Sequence, residues 1–246
     1  MCIRDRFIDG RPYDHGRPSH LDAAARMLGR YHACVEGFTP QAFRERDDLY
    51  GPANSRASLA RLSDAWQLDR HPELEQVARE LAGHADDLAA RFDGHGTLPY
   101  LVIHGDYYAG NLLFDGDRIV GVVDYDKANW QPRVVEVAEA LIYFASPRPG
   151  HLKYLVYPGF LEWEPLVRFL LNYARAAILG EDEIQALPDY VWCIWLSVSL
   201  RRLLEGAPSC PPEALPALRE VLALGAWVNA NARRMIEMAR EATQAR

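Results

Sequence analysis

The apolar positions in the first part of the chain recur every three or four places, which is the spacing of an amphipathic helix. One such stretch covers 19–35, where Ser19, with an acid three residues further on, is expected to cap the helix start. A longer stretch covers 72–92, and Gly94 and Gly96 predict where that helix ends. The sequence therefore predicts two helices before residue 98.

The segment between these helices and the second half of the chain have contrasting patterns. Residues 38–56 are rich in Pro, Gly and Asp and favour a mixture of loop and short helix. From Val134 onward the helical spacing returns and continues to the end of the chain. The helices predicted there cover 134–145, 162–179, 181–205 and 212–243.

Between 98 and 126 the pattern changes to short apolar runs of the kind that form β-strands. Three strands are predicted, over 98–105, 111–115 and 118–126. Asp115 followed by Gly116, between the last two runs, is a strong hairpin signal. The sequence therefore predicts an α+β fold that is mostly helical, with one small β insertion.

The composition is that of an ordinary globular chain. Of the 246 residues, 49% are apolar and 25% are charged, and a net charge of −7 gives a nucleic-acid partner no electrostatic support. No run approaches the ~20 apolar residues of a membrane span and no secretory signal begins the chain, so a cytoplasmic location is expected. The cysteines form no C-x-x-C pair and predict neither a zinc site nor a disulfide framework. They are Cys2, Cys34, Cys193 and Cys210.

Polar residues interrupt the apolar stretch 101–130 at regular positions, although carboxylates are rarely buried in a protein core. Asp106 and Asn111 lie in a Gly-containing loop between two predicted strands, which can aim both side chains at one point. Asp124 ends the next predicted strand, and Asp126 is expected on the same face if that strand continues. The candidate site residues are His104, Asp106, Asn111, Asp124 and Asp126.

A carboxylate and an amide oxygen that converge near another carboxylate form a hard-oxygen site suited to Mg²⁺. Because magnesium also binds water and phosphate oxygens, the site implies a phosphorylated substrate, and a nucleotide is the expected one. Asp106 would then be free to orient and deprotonate an acceptor hydroxyl. The alternative to a functional site is that these residues only form turns beside a hairpin. Their spacing within an apolar stretch disfavours that interpretation.

The order H-x-D-x-x-x-x-N, a hairpin and then an Asp at a strand end resembles the catalytic and metal-binding loops of protein kinases. Here it reads HGDYYAGN at 104–111 and VVDYD at 122–126. The Gly after the His, and DYD in place of Asp-Phe-Gly, resemble instead the aminoglycoside phosphotransferase and choline kinase superfamily, including homoserine kinase-like enzymes. The resemblance covers about residues 7–145 by motif. It implies the C-terminal lobe of a protein-kinase-like fold, with the β-hairpin carrying the catalytic and metal loops.

The resemblance also implies a role for each candidate residue. Asp106 would be the catalytic base, and Asn111 and Asp124 would be the Mg²⁺ ligands. His104 would brace the loop, and Asp126 would be a secondary acid near the metal. ATP would be the co-substrate, and a small alcohol or amino alcohol would be the acceptor.

Two further stretches resemble the family's sequence pattern but differ from it at individual positions. PRVVEVAEAL at 132–141 is similar to the family's helix start, with Glu136 where Asp is usual; we expect Glu136 in the first helical turn, where the helix dipole favours a carboxylate. Family members more often have His-Pro where this chain has Tyr108 and Ala109, which leaves the acceptor pocket undefined. His32 is expected to be a capping or core histidine.

Two parts of a kinase nucleotide site are not found in this sequence. No Gly-rich phosphate loop precedes residue 100, and Lys127 and Lys153 both follow the catalytic loop. FIDGRPY at 7–13 resembles the family's hinge, before which the family has a small β-lobe. We therefore expect 1–15 to be a hinge remnant with an artefactual start, and 16–246 to form one kinase-like C-terminal lobe.

Three functions remain open at this point. The first is transfer of the γ-phosphate of ATP to a hydroxyl of a small alcohol or amino alcohol. The second is a non-catalytic kinase-like binding module that keeps the metal site. The third is a metal-dependent phosphohydrolase, which the spacing of Asp106 and Asn111 fits least. The sequence leaves open the oligomeric state and the acceptor, which could be an aminoglycoside, homoserine, choline or a sugar.

Overall fold

A computed structural model of the chain describes residues 8–39, 50–146, 161–205 and 214–245. Helices dominate the described residues, and the strands are few and short. The helices are α1 (Pro18–Val35), α2 (Pro52–Trp66), α3 (Pro72–Gly94), α4 (Arg133–Phe144), α5 (Trp163–Ala174), α6 (Glu181–Glu205) and α7 (Leu215–Gln244). The strands are β1 (Arg11–Pro12), β2 (Tyr100–Ile103), β3 (Leu112–Asp115), β4 (Arg118–Val122) and β5 (Asn129–Pro132).

The strands form two small antiparallel sheets. In one, β3 lies between β1 and β4, and Leu112 at the start of β3 is opposite Val122 at the end of β4. In the other, β2 pairs with β5, and Ile103 at the end of β2 is opposite Asn129 at the start of β5. The register therefore places the loops that follow β2 and β4 beside the starts of β3 and β5.

The centre of the helical body is α6, which contacts α2, α3, α4 and α7. Most of its residues between Ile184 and Leu200 are buried, and Trp192 and Trp195 are among the largest fully buried side chains. A helix that is buried on all sides belongs to the interior of a domain. The fold is therefore a helical body around α6, with the two sheets attached, and the predicted mostly helical α+β class is confirmed.

The expected cap of the first helix is wrong. α1 begins at Pro18 and its N-cap residue is Arg17, which makes no side-chain cap hydrogen bond. Pro is favoured in the first helical turn because it has no backbone N–H that needs a partner. Ser19 lies inside that turn and its hydroxyl donates to Oδ1 of Asp117 at 2.8 Å, which joins α1 to the turn between β3 and β4.

Several predicted boundaries also differ from the structure. α2 extends to Trp66, well past the mixed segment 38–56, of which residues 40–49 lie outside the described residues. β5 lacks the apolar alternation of a strand and was not predicted. β4 ends at Val122 instead of residue 126, and α5 ends at Ala174 instead of residue 179. The end of α3 at Gly94 is confirmed.

The helices of the described ranges were also compared with the length and apolarity that a bilayer span requires. None of the helices in those ranges meets both requirements.

Candidate active site

The loop after β2 and the segment after β4 are held together by backbone and side-chain hydrogen bonds. The backbone N–H of Val123 donates to the carbonyl of Asn111 at 3.0 Å. The side-chain amide of Asn111 donates to the carbonyl of Asp106 at 2.9 Å. Asp106, Asn111 and the residue before Asp124 therefore belong to one hydrogen-bonded unit.

His104 is fully buried and its ring contacts both of these segments. Its Nε2 lies 3.0 Å from the carbonyl oxygen of Val123, and its Nδ1 accepts the backbone N–H of Asp106 at 3.3 Å. Because a carbonyl can only accept, Nε2 carries the proton and Nδ1 is the acceptor. The imidazole therefore links the backbone at Asp106 to the backbone before Asp124.

Gly105 is required by the close approach of the segment after β4. Its φ is +74°, a left-handed conformation that favours glycine. A Cβ at this position would lie 2.4 Å from the backbone carbonyl oxygen of Lys127. The Gly between His104 and Asp106 therefore lets the two loops touch.

Glu136, in the first turn of α4, is a buried carboxylate that supports the loop from the other side. It accepts the backbone N–H of His104 at 3.1 Å and that of Gly105 at 2.7 Å. Nε2 of His32 lies 2.8 Å from the same carboxylate, and Nδ1 of His32 lies 2.8 Å from the hydroxyl of Tyr173. Three donors satisfy this buried charge, which would otherwise be costly.

The sequence reasoning placed Glu136 correctly in a helical first turn but missed what it binds. His32 was predicted to be a capping or core histidine, and its contact with Glu136 was not predicted. The sequence does contain a signal for this contact. The pattern over α4 is that of a buried helix, and an acid such as Glu136 inside a buried helix needs hydrogen-bond partners.

Asp106 lies at the mouth of this loop, with 15% of its side chain exposed. The ammonium of Lys127 lies 2.8 Å from Oδ1 of Asp106, and 49% of the Lys127 side chain is exposed. This contact was not predicted from the sequence, although Lys127 is one of only two lysines in the chain. The ion pair places a positive charge directly beside the candidate base.

The two predicted metal ligands offer oxygen atoms of the right kind. Because the amide nitrogen of Asn111 is used on the Asp106 carbonyl, its amide oxygen is left for a cation. Asp124 is exposed, and its side chain makes no hydrogen bond or ion pair with the residues that the structure describes. One amide oxygen and one carboxylate with open positions fit Mg²⁺, which keeps waters and completes its shell with phosphate oxygens.

The structure contradicts one geometric expectation about the metal site. Asp124 has a φ of +67°, so the chain turns there and β4 does not continue to Asp126. Asp126 therefore does not share a strand face with Asp124, and it is exposed. In the described part of the chain no cluster of three or more His, Cys, Asp or Glu side chains is placed to hold a metal ion.

A second buried carboxyl on α4 lies close to the loop and was not predicted. Glu139 is 2% exposed, and the Tyr50 hydroxyl donates to its Oε1 at 2.6 Å. Burial raises the pKa of Glu139 to about 8, and the negative charges of Glu136 and Asp106 act in the same direction. Its Oε2 has no hydrogen-bond partner among the described residues.

The fold is that of a kinase-like phosphotransferase, with the loop that carries Asp106 and Asn111 between β2 and β3 and the segment that carries Asp124 after β4. A profile of the phosphotransferase enzyme family matches residues 5–188. The chain belongs to this family, and the resemblance drawn from its two motifs is confirmed.

A curated protein is similar to this chain over much of its length. The chain is 27% identical over 190 residues to a homoserine kinase of Methylobacillus flagellatus, which covers 77% of this chain and 54% of that protein. The chain spans about half the length of the curated relatives that it matches.

Two solved structures have the same fold. A choline/ethanolamine kinase family protein from Mesorhizobium loti matches with a TM-score of 0.57 and 17% identity, over 96% of this chain and 72% of that one. An amicoumacin kinase in complex with AMP-PNP and Ca²⁺ matches with a TM-score of 0.53 and 13% identity, over 97% of this chain and 64% of that one.

Proposed function

We propose that this chain carries the catalytic half of an ATP-dependent kinase that phosphorylates a hydroxyl of a small alcohol or amino alcohol. The observation that carries the proposal is the unit formed by Asp106, Asn111 and the segment before Asp124, joined by hydrogen bonds of 2.9 and 3.0 Å. Family membership supports it, because the family consists of phosphotransferases. In this proposal residues 16–246 act as one kinase-like C-terminal lobe.

Asp106 is the proposed catalytic base. It is the carboxylate nearest the loop mouth, where an acceptor hydroxyl can approach, and it can orient that hydroxyl and accept its proton. Lys127 pairs with one oxygen of Asp106 and leaves the other for the acceptor. In this proposal the same ammonium would stabilise the charge of the transition state as the phosphoryl group is transferred.

Asn111 and Asp124 are the proposed Mg²⁺ ligands, with Asp126 as a further acid near them. Bound there, Mg²⁺ would neutralise the charge on the β- and γ-phosphates of ATP. His104 and Glu136 would keep the loop rigid, so that Asp106 and Asn111 hold their separation when the nucleotide arrives. The amicoumacin kinase complex, which contains AMP-PNP and Ca²⁺, supports a nucleotide and a divalent cation as ligands.

The test is an ATP-consumption assay on the chain, expressed with any coding sequence that precedes it in frame. Acceptors would include homoserine, choline, ethanolamine, aminoglycosides and sugars, with the Methylobacillus flagellatus homoserine kinase as the reference enzyme. We expect Mg²⁺-dependent turnover with at least one acceptor. Asp106→Asn should abolish that turnover and leave nucleotide binding intact; activity in this variant would rule out Asp106 as the base.

The second candidate is a kinase-like binding module without turnover. The same assay separates the two proposals. A module would bind nucleotide or acceptor in calorimetry and would consume no ATP, with Asp106→Asn binding both as the parent chain does.

A further inference from the structure

A cavity of about 540 Å³ lies between α2 and α6, and none of the residues that line it belongs to the candidate active site. Its lining positions recur every three or four residues on each helix, so each helix contributes one face. Cavities of this size commonly hold small molecules in proteins. The lining residues are Asn54, Ala57, Ser58 and Arg61 of α2, and Ser197, Arg201, Leu204 and Glu205 of α6.

The two helices meet beside the cavity through short side chains. The hydroxyl oxygens of Ser55 and Ser197 lie 3.0 Å apart, and both residues are buried. Ala57 and Ser58 follow on the same part of α2 and line the cavity. Because these side chains are small, they bring the helices together without filling the space between them. The buried serine contact therefore fixes the spacing of the two helices at the cavity.

Two of the lining residues are arginines with no partner of their own. Arg61 and Arg201 are exposed, and neither makes an ion pair or a hydrogen bond with the residues that the structure describes. Carboxylates are not scarce, since the chain has 34 acidic and 27 basic residues. Glu205 also lines the cavity, one turn after Arg201, and makes no ion pair with it. Both guanidinium groups are therefore available to an anion.

The donors around the cavity suit a phosphate group better than a carboxylate. A phosphate monoester carries about −1.5 to −2 charges at pH 7, which two guanidinium groups can neutralise, whereas a carboxylate carries one. Each guanidinium can donate two parallel hydrogen bonds to such an anion. The hydroxyl of Ser58 and the amide of Asn54 are further donors, and Leu204 offers an apolar contact to the organic part of a ligand.

We propose that the cavity between α2 and α6 is a binding site for a small phosphate monoester. Arg61 and Arg201 bind its phosphate oxygens from opposite helices, and the space beside them holds its organic part. Glu205 is outnumbered by the two arginines, so the lining stays positive within a chain whose net charge is −7. The site is separate from the one proposed for phosphotransfer and does not depend on it.

Calorimetry on the chain, without Mg²⁺ and at fixed ionic strength, tests the class of ligand. Glycerol 3-phosphate, glycerate and glycerol are similar in size and differ in their charged group. We expect glycerol 3-phosphate to bind at least about tenfold more tightly than glycerate, and glycerol not to bind. Equal affinity for the phosphate and the carboxylate would overturn phosphate as the recognised group. No binding of glycerol 3-phosphate would overturn the site.

Variants of the two arginines test the residues. Arg61→Gln and Arg201→Gln should each weaken the binding of glycerol 3-phosphate at least about tenfold, because each loses charge-assisted hydrogen bonds to the phosphate. Arg56→Gln is the matched control, since it removes the same charge from α2 at a position that pairs with Asp86 and does not line the cavity. An equal loss in all three variants would mean a general charge effect and would contradict the proposal.

A variant that keeps both arginines tests the cavity itself. Ala57→Leu places a larger side chain in the cavity at an exposed position of α2, so the fold should be retained. We expect it to weaken the binding of glycerol 3-phosphate as the arginine variants do. Parent affinity in Ala57→Leu would show that the phosphate binds elsewhere and would overturn the location.

The last comparison separates this site from the candidate active site. Asp124→Asn and Asp106→Asn should bind glycerol 3-phosphate as tightly as the parent chain does. If affinity falls in Asp124→Asn and persists in Arg61→Gln, the phosphate binds at the active site and this inference fails. A chain that never consumes ATP but binds glycerol 3-phosphate with the expected dependence on Arg61 and Arg201 keeps this site and loses the proposed phosphotransfer.

Discussion

The side-chain ammonium of Lys127 lies 2.8 Å from Oδ1 of Asp106. The two residues are on different loops, and Gly105 allows these loops to touch because a Cβ there would overlap the Lys127 carbonyl. The proposed base therefore depends on the second loop for its charge partner.

Replacing Lys127 with Met should lower kcat strongly in the phosphotransfer assay, by about 100-fold, because in the proposed mechanism its positive charge lies beside the reacting phosphate. Arg118→Gln removes a positive charge at an exposed hairpin position and is the control. An unchanged kcat in Lys127→Met would remove this lysine from the mechanism.

Glu136→Ala should destabilise the fold by about 3–5 kcal/mol. The substitution leaves the backbone N–H groups of His104 and Gly105 and the ring of His32 without their buried acceptor. Urea unfolding followed by tryptophan fluorescence would measure the loss. Glu80→Ala, on the exposed face of α3, should cost far less; equal effects would mean that Glu136 is not a brace.

Gly105→Ala and Gly116→Ala form a matched pair. Both glycines have positive φ, +74° and +57°, but only a Cβ at Gly105 meets another atom, the Lys127 carbonyl oxygen at 2.4 Å. Gly116→Ala should cost about 1 kcal/mol, the conformational penalty alone. Gly105→Ala should cost clearly more and should also impair turnover. Equal losses in unfolding free energy would show that the loops are not in contact as described.

Asp22 predicts how stability responds to acid. The hydrogen bonds from the Arg168 guanidinium, at 2.6 and 2.9 Å, hold the pKa of Asp22 below its ordinary value of 3.8. The folded state therefore binds the proton more weakly than the unfolded state does. This contribution to stability is present above pH 3.8 and disappears as the pH falls through the lower folded pKa. Thermal unfolding of Asp22→Asn should show a shallower loss of Tm below pH 4 than the parent chain shows.

The raised pKa of Glu139 predicts a dependence of stability on pH that is opposite to that of Asp22. Burial raises its pKa to about 8 from an ordinary value of 4.5, so the folded state keeps a proton that the unfolded state releases. The free energy of unfolding should fall as the pH rises from 4.5 to about 8 and should then level off. Glu139→Gln has no such proton and should be less sensitive across this window. Parallel curves for both chains would show that Glu139 titrates normally.

The sequence predicted the class of fold and the loops of the site because these depend on local patterns. Helical spacing revealed six of the seven described helices, and the Asp115-Gly116 turn revealed the hairpin. α2 was missed beyond residue 56 because its buried side chains form only a thin stripe, ending in Trp66. β5 was missed because its strand character comes from pairing with β2 and not from its own residues.

The candidate site was predictable where residues stand close together in the motif and was not predictable where they come from distant elements. Asp106 and Asn111 are linked within one loop. Glu136, His32 and Tyr173 meet only when α1, α4 and α5 pack together. The ion pair of Lys127 depends on a turn at Asp124 whose positive φ no spacing rule reveals.

The positions of the two buried acids on α4 have an evolutionary consequence. Glu136 and Glu139 are three residues apart and so lie on one face of the helix, at successive turns. The first acid accepts the backbone N–H groups of the loop that carries Asp106, and the second accepts the hydroxyl of Tyr50. A substitution at residue 139 would therefore leave the loop its acceptor, whereas one at residue 136 would remove it, so the two positions are under different selection.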